Sequence, residues 1–192
     1  MKARLRLCVF AIAAVCCQPC AIIRAEQATQ ALSPRAVEAL DLVSSDDRYK
    51  QELGFLRLEA LREPASIPEI LPYASHKDPE LRAGGVRALA AIQGIESCPL
   101  LLDRMQHDPH PRVRRAAMLG IEPFAESDPK ILPILIERLR DKDATVRMTA
   151  IDVVSRIADP TAREAILQRN KREGRRDVRR VLELAMKRMG SK

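Results

Sequence analysis

The apolar residues of this chain recur with helical periodicity, and the pattern itself repeats along the sequence. A β-branched or Leu residue followed by Arg appears as Leu81-Arg82, Val113-Arg114, Val146-Arg147 and Val178-Arg179, at spacings of 32, 33 and 32 residues. Counted from the first residue of each pair, apolar or small residues fall at +4, +5, +8 and +11, which is one face of an α-helix. The sets are Gly85, Val86, Leu89 and Ile92; Ala117, Met118, Ile121 and Phe124; Ala150, Ile151, Val154 and Ile157; and, interrupted by Glu183, Leu182, Met186 and Met189. Gly85, Ala117 and Ala150 share one position. A small side chain there lets two helices approach closely, which accounts for a mid-helix glycine despite its propensity cost of about 1 kcal/mol.

Ahead of each such helix lies a second apolar-periodic segment opened by a capping residue and a proline: Ser33-Pro34, Ser66 with Pro68, Ser97 with Pro99, Asp128-Pro129 and Asp159-Pro160. Caps followed by early proline mark helix starts. The unit is therefore a helical hairpin with a tight polar turn such as His76-Lys77-Asp78-Pro79 or Asp141-Lys142-Asp143. The segment 31–61 reads as a degenerate further hairpin, with Tyr49-Lys50 standing 32 residues before Leu81-Arg82. The sequence predicts an all-α solenoid of about five antiparallel hairpins, spanning 33–62, 66–93, 96–125, 128–158 and 160–189. One hairpin cannot cover its own apolar face, so stacking on neighbours makes one continuous core. At about 8 to 10 Å between neighbouring helices, five layers extend roughly 40 to 50 Å.

These residues resemble the HEAT and HEAT-like repeats, including the version found in phycobilin lyases. The resemblance rests on Asp78-Pro79-Glu80-Leu81-Arg82 with Ala88-Leu89, on Asp108-Pro109 with Val113-Arg114-Arg115-Ala116-Ala117, and on Asp141 with Val146-Arg147 and Ala150. The landmarks of ankyrin and tetratricopeptide repeats are absent. The resemblance implies a right-handed superhelix whose second helices line the concave side.

The N-terminus reads differently from the rest. Lys2, Arg4 and Arg6 precede an apolar run from Leu7 to Cys17, the layout of a signal peptide. The run is too short for a membrane span, which takes about 20 apolar residues. Residues 1–25 are expected to be cleaved after Ala25, with 26–32 a short leader, and the product exported to a periplasmic or extracytoplasmic space. None of the residues before Cys16, Cys17 or Cys20 gives a good lipoprotein signal. Cleavage removes Lys2, Arg4, Arg6 and Arg24 but no acid, so the net charge falls from +7 to +3. It also leaves Cys98 as the one cysteine, so no internal disulfide is available.

The recurrent arginines Arg82, Arg114, Arg147 and Arg179 are the most regular polar residues. Asp108 precedes Arg114 by six residues and Asp141 precedes Arg147 by six. These are expected to be structural pairs that tie each turn to its second helix through charge-assisted hydrogen bonds. Glu173 stands at the same offset from Arg179, and His76 from Arg82. Partner contact is instead expected from second-helix residues facing away from the core, at +2, +6, +9 and +10: Arg87, Arg115, Leu119, Glu122, Met148, Asp152, Arg156, Arg180, Lys187 and Arg188. Such a mixed surface suits protein recognition better than a single charged ligand.

Residues 169–188 hold nine cations against Glu173, Asp177 and Glu183. This stretch could meet an anionic surface, although a terminal repeat also needs a polar outer face merely to be soluble. Nucleic-acid binding is disfavoured, because Tyr49, Phe55, Tyr73 and Phe124 are the only aromatics outside the signal. His76, His107, Asp108 and His110 sit at turns without a metal-ligand spacing, and Cys98 reads as a small apolar filler. No phosphate loop, zinc-protease motif or nucleophile elbow appears. The expectation is a non-catalytic protein-binding scaffold of the cell envelope, with no cofactor and no metal. The alternatives are a polyanion or membrane-surface binder and, remotely, a lyase-type enzyme.

Overall fold

The computed structural model describes residues 31–190, so the signal-peptide expectation lies outside the described residues. Among the described residues there is no strand. The helices are α1 (Pro34–Val43), α2 (Arg48–Leu61), α3 (Ile67–Ile70), α4 (Pro79–Gln93), α5 (Cys98–His107), α6 (Pro111–Ile121), α7 (Ile131–Arg138), α8 (Ala144–Val154), α9 (Pro160–Arg172) and α10 (Arg176–Gly190). They pair in order as five hairpins, with the even-numbered helices as the second members.

The helix starts follow from local chemistry. Asp47, Asp78, Asp143 and Asp159 each accept main-chain N–H groups from the first turn of the helix they precede. His110 does so through Nδ1 for α6, and Ser33 through Oγ for α1. Pro34, Pro79, Pro111 and Pro160 open their helices, where the missing N–H costs nothing. Ser66 and Ser97, however, are not caps: both have helical backbone, and their hydroxyls donate back to the carbonyls of Glu63 and Gly94. Asp128 accepts from the Lys130 N–H, and α7 begins only at Ile131. The first member of the second hairpin is broken into 3-10, α and 3-10 turns over 64–75. Pro64, Pro68 and Pro72 remove donors at four-residue intervals, and a continuous α-helix cannot bridge them.

One apolar core runs the length of the stack, with Phe55, Leu58, Ile70, Leu89, Leu101, Met118, Ile121, Leu135, Ile151 and Ile166 fully buried. Ile157 is buried, and Ile92 and Phe124 are half-buried against the same core. A Cβ on Gly85 would lie 2.8 Å from the main-chain nitrogen of Ala74, so at this small-residue position the two members of the hairpin approach closely. The stretch Pro79–His107 has the length and composition to cross a membrane, but Gly94 at φ 59° divides it into α4 and α5. Both contribute residues to the core.

The first hairpin shows a register one residue away from the expected Tyr49-Lys50. Gln51, not Lys50, occupies the arginine position: its Nε2 donates to the Ser45 carbonyl, six residues back, at 2.6 Å. Arg82, Arg114 and Arg147 donate in the same way to the carbonyls of His76, Asp108 and Asp141. Gly54 then takes the small-residue place, where a Cβ would be 2.6 Å from the Ala39 carbonyl. The equivalent pair is therefore Lys50-Gln51, 31 residues before Leu81-Arg82.

Successive second helices pack on one another along the array, whereas successive first helices meet only sparsely. The even-numbered helices form the closer, inner layer of the stack.

Candidate functional site: the ladder and the inner layer

Each interior arginine makes two sets of contacts, and only one lies within its own repeat. The Nη1 of Arg82 donates to the carbonyls of His76 and Lys77, that of Arg114 to Asp108 and Pro109, and that of Arg147 to Asp141 and Lys142. The other edge of the guanidinium reaches the next repeat. Arg82 makes a bidentate pair with Asp108 at 2.7 and 3.0 Å, Arg114 with Asp141 at 2.8 and 2.7 Å, and Arg147 with Glu173 at 3.0 and 3.3 Å. The expected ties of Asp108 to Arg114 and of Asp141 to Arg147 are present through the main-chain oxygens, and the correction concerns the carboxylates, which pair with the arginine of the preceding repeat. The residue six before each arginine offers its main-chain oxygen, while its carboxylate serves the preceding repeat. The physical reason is reach: an arginine in the first turn of its helix already has its turn's carbonyls beside Nη1, so its free edge points at the adjacent layer.

The receiving carboxylates are held in place by their own turns. Asp108 accepts from the His110 N–H, Asp141 from Asp143 and Glu173 from Arg175, all at 2.9 to 3.0 Å. Burial alone would raise the Asp108 and Glu173 carboxyls. Arg82 and the His110 N–H hold Asp108 below the usual range, and Arg169, the Arg175 N–H and Arg147 hold Glu173 down at about 2. At the first junction the ladder pair is missing on both sides: Gln51 stands where an arginine would, and His76 where an acid would. At the last, Arg179 is exposed and, among the described residues, has no hydrogen-bond or ion-pair partner for its guanidinium; Glu173 is taken by Arg147 and Arg169.

Of the residues expected to contact a partner, six prove to be joined to one another or to neighbouring helices across the inner layer. Arg87 bridges Glu52 at 2.8 Å and Glu59 at 2.9 Å on α2. Arg115 donates to the Thr149 hydroxyl at 3.0 Å. Arg156 pairs with Glu122 and Asp152, and Arg188 with Asp152 and the Ser155 hydroxyl. Met148 is half-buried against the core, Leu119 is exposed, and Arg180 and Lys187 occupy exposed positions on α10.

Aligning the corrected register brings out a column that the sequence alone hid. Five residues after Gln51, Arg82, Arg114, Arg147 and Arg179 come Leu56, Arg87, Leu119, Asp152 and Leu184. Leu56, Leu119 and Leu184 are 49%, 44% and 58% exposed. The two charged members between them are pinned by the ion pairs above. Leu119 also lines a groove of about 520 Å³ together with Ala90, Ala91, Ala116, Gly120, Arg62 and Arg87. Leu56 escaped notice because the one-residue register error put the buried Phe55 in its place. Leu184 could have been found at +6 from Val178.

Elsewhere the candidates are committed to structure. His107 lies 3.2 Å from Asp103, and His110 caps α6. Cys98 is buried, and burial pushes its thiol up, away from the reactive thiolate. In the basic stretch, Arg169 is held by Glu173 and Arg175 by Asp177, while Lys171, Arg172, Arg176, Arg179 and Arg180 are exposed.

Comparison with known proteins agrees with this geometry. A search of curated proteins finds no match. Among solved structures, the fold is similar to the complex of CpcE and CpcF of phycocyanin lyase from Nostoc sp. PCC7120. The TM-score is 0.66 at 22% identity, covering 78% of this chain and 96% of that one, a likeness of fold. The family model for HEAT repeats matches residues 33–122 and 117–187. With the repeat period, the hairpin stack and the arginine–carboxylate ladder in hand, that match places the chain in the HEAT repeat family.

Proposed function

We propose that this HEAT-repeat chain is a non-catalytic scaffold of the cell envelope that docks a protein segment along its inner layer of second helices. The observation that carries the reading is the column of exposed leucines, Leu56, Leu119 and Leu184, at one position of every other repeat. Single exposed leucines are ordinary; three in one register on one layer are a patterned surface. The charges between them are fixed in advance by their own ion pairs, so a partner would meet rigid polar groups around apolar anchors, the anatomy of protein interfaces. Two layers at about 8 to 10 Å each set the leucines roughly 16 to 20 Å apart, a span suited to an extended or helical protein segment and not to a small molecule. The solved relative is itself a complex of two chains, which supports a protein partner. The N-terminal cations and the apolar run of 7–17 support export.

The test is affinity capture from native envelope extract by the full chain, compared with Leu56→Glu plus Leu119→Glu. The expected result is a defined set of bound proteins whose recovery falls by about tenfold in the variant, a loss worth about 1.4 kcal/mol. Equal recovery by both, with the variant folded by circular dichroism, sinks the reading.

A further inference from the structure

A second set of arginines sits on the first members of the hairpins. Arg104, Arg138 and Arg169 stand four, three and four residues before Asp108, Asp141 and Glu173. The first two reach back to the preceding hairpin: Arg104 Nη2 donates to the Ser75 hydroxyl at 3.0 Å, and Arg138 Nη1 to the carbonyls of Met105 and Gln106 at 3.4 and 3.3 Å. Arg169 does not. Glu173 has a longer side chain than the aspartates at its position and takes Arg169 as well as Arg147, so the Arg169 guanidinium turns to its own repeat. Between α9 and the end of α7 lies a cavity of about 260 Å³.

Ala165, Gln168, Arg169 and Arg172 line this cavity as one stripe of α9, together with Ile136, Leu139 and Arg140. Among the described residues no carboxylate lines it. The Gln168 amide is turned to Glu164, and Arg169 is offset by Glu173. Arg140 and Arg172 are exposed, and among the described residues neither guanidinium has a hydrogen-bond or ion-pair partner. We infer that this cavity between the fourth and fifth hairpins binds a phosphate group, held by Arg140 and Arg172 with Arg169 behind them.

Guanidiniums gathered round one concavity repel each other until an anion enters, and the apolar walls of Ile136, Leu139 and Ala165 focus the field there. Each guanidinium presents paired N–H donors in a fixed fork that matches phosphate oxygens two at a time. A phosphate monoester carries a charge of about −1.5 to −2 at neutral pH, enough to offset Arg140 and Arg172. The volume admits such a group with a short apolar remainder and excludes a folded partner. Its carrier is a soluble phosphate monoester or the headgroup of a lipid. The site lies among the first helices and is independent of the leucine column.

The test is calorimetric titration of the full chain with inorganic phosphate, with sodium chloride holding the ionic strength constant. The wild type is expected to bind saturably at one site. Arg140→Gln plus Arg172→Gln, which removes no contact within the described residues, should stay folded and weaken binding by about tenfold or more. Lys171→Gln plus Arg176→Gln removes the same charge from exposed positions that do not line the cavity and should leave binding unchanged. Absence of saturable binding by the folded wild type overturns the proposal, and so does equal weakening in the two double variants. Sedimentation with vesicles of phosphatidylcholine and phosphatidic acid separates the carriers. Vesicle binding that inorganic phosphate competes away, and that Arg140→Gln plus Arg172→Gln abolishes, supports the site with a lipid headgroup as its ligand. Phosphate binding without vesicle binding supports it with a soluble monoester. Vesicle binding without binding of free phosphate reflects only the diffuse charge of 169–188 and overturns it.

Discussion

Arg114 grips Asp141, 27 residues ahead in the next repeat, while Asp108, six residues behind it, faces Arg82. The ladder is accordingly a device of the junctions, and changes to it act on stacking more than on any one hairpin. Arg114→Ala would leave the Asp141 carboxylate buried without its cation and strip the Asp108 and Pro109 carbonyls of a donor. Breaking one side of such a buried pair costs about 3 to 5 kcal/mol, measurable by urea denaturation. A double-mutant cycle separates the two geometries. Arg114 and Asp141 should couple by about 0.5 to 3 kcal/mol, whereas Arg114 and Asp108 should be nearly additive. The reverse result would return the arginines to pairing within their own repeats.

Stability should respond to acid through Glu173 before it responds through surface carboxylates. Its folded pKa of about 2 lies below the ordinary 4.5, so the contribution is complete above the ordinary value and is lost as pH falls towards 2. A shift of this size on a buried carboxylate corresponds to about 3 kcal/mol. Asp108, also lowered, adds to the same window. Glu173→Gln should be less stable at neutral pH and should show a flatter loss of melting temperature on acidification. Parallel curves for the two proteins would show that Glu173 does not carry the effect.

The sequence exposed the fold through spacing that survives in the core: the pairs at 32 or 33 residues, the small residues at Gly85, Ala117 and Ala150, and the proline-led helix starts. It was less informative where side chains serve two partners. An acid six residues before an arginine looks like that arginine's partner, and no local pattern reveals that the carboxylate has turned to the previous layer while only the carbonyl stays. The first hairpin misled for a related reason. Gln51 keeps the hydrogen bond of the ladder arginine but not its charge, and the basic Lys50 beside it matched the pattern better. That slip concealed Leu56 and with it the regular column of the inner layer. The leucine Leu119 and the charges Arg87 and Asp152 were visible as outward positions, but their division into exposed anchors and pinned ion pairs is a property of neighbouring repeats.

The tight closure of the hairpins at Gly54 and Gly85 predicts an inversion of the usual rule for glycine in helices. Replacing a mid-helix glycine with alanine gains about 1 kcal/mol in propensity. Here the added Cβ would stand 2.6 Å from the Ala39 carbonyl at Gly54 and 2.8 Å from the Ala74 nitrogen at Gly85. Main-chain atoms cannot rotate away, and overpacking of this kind costs about 1 to 3 kcal/mol. Gly54→Ala and Gly85→Ala should therefore both lower the melting temperature, whereas Gly190→Ala, with no neighbouring atom within 4 Å, should not. A stabilised Gly85→Ala would mean that the α4 contact with 71–75 is looser than described.

The first junction offers the opposite experiment, because it lacks the ladder's charges on both sides at once. Gln51 sits at the arginine position and His76 at the acid position, and His76 already accepts from the Asp78 N–H as the ladder acids accept from their turns. Gln51→Arg alone would bring a guanidinium against a site with no carboxylate, and His76→Asp alone would place a carboxylate there with no guanidinium. Each single change should be neutral or destabilising. Together they recreate the pair found at the next three junctions, and their effects should differ from additivity by about 0.5 to 3 kcal/mol in the stabilising direction. Hydrogen exchange gives the spatial readout: protection of α1 and α2, joined to the array through the junction that lacks the ladder pair, should rise in the double variant while that of α9 and α10 stays unchanged. Additive single effects would show that contacts such as Arg48 with Asp78, at 2.7 Å, already hold this junction in a geometry the ladder pair cannot adopt.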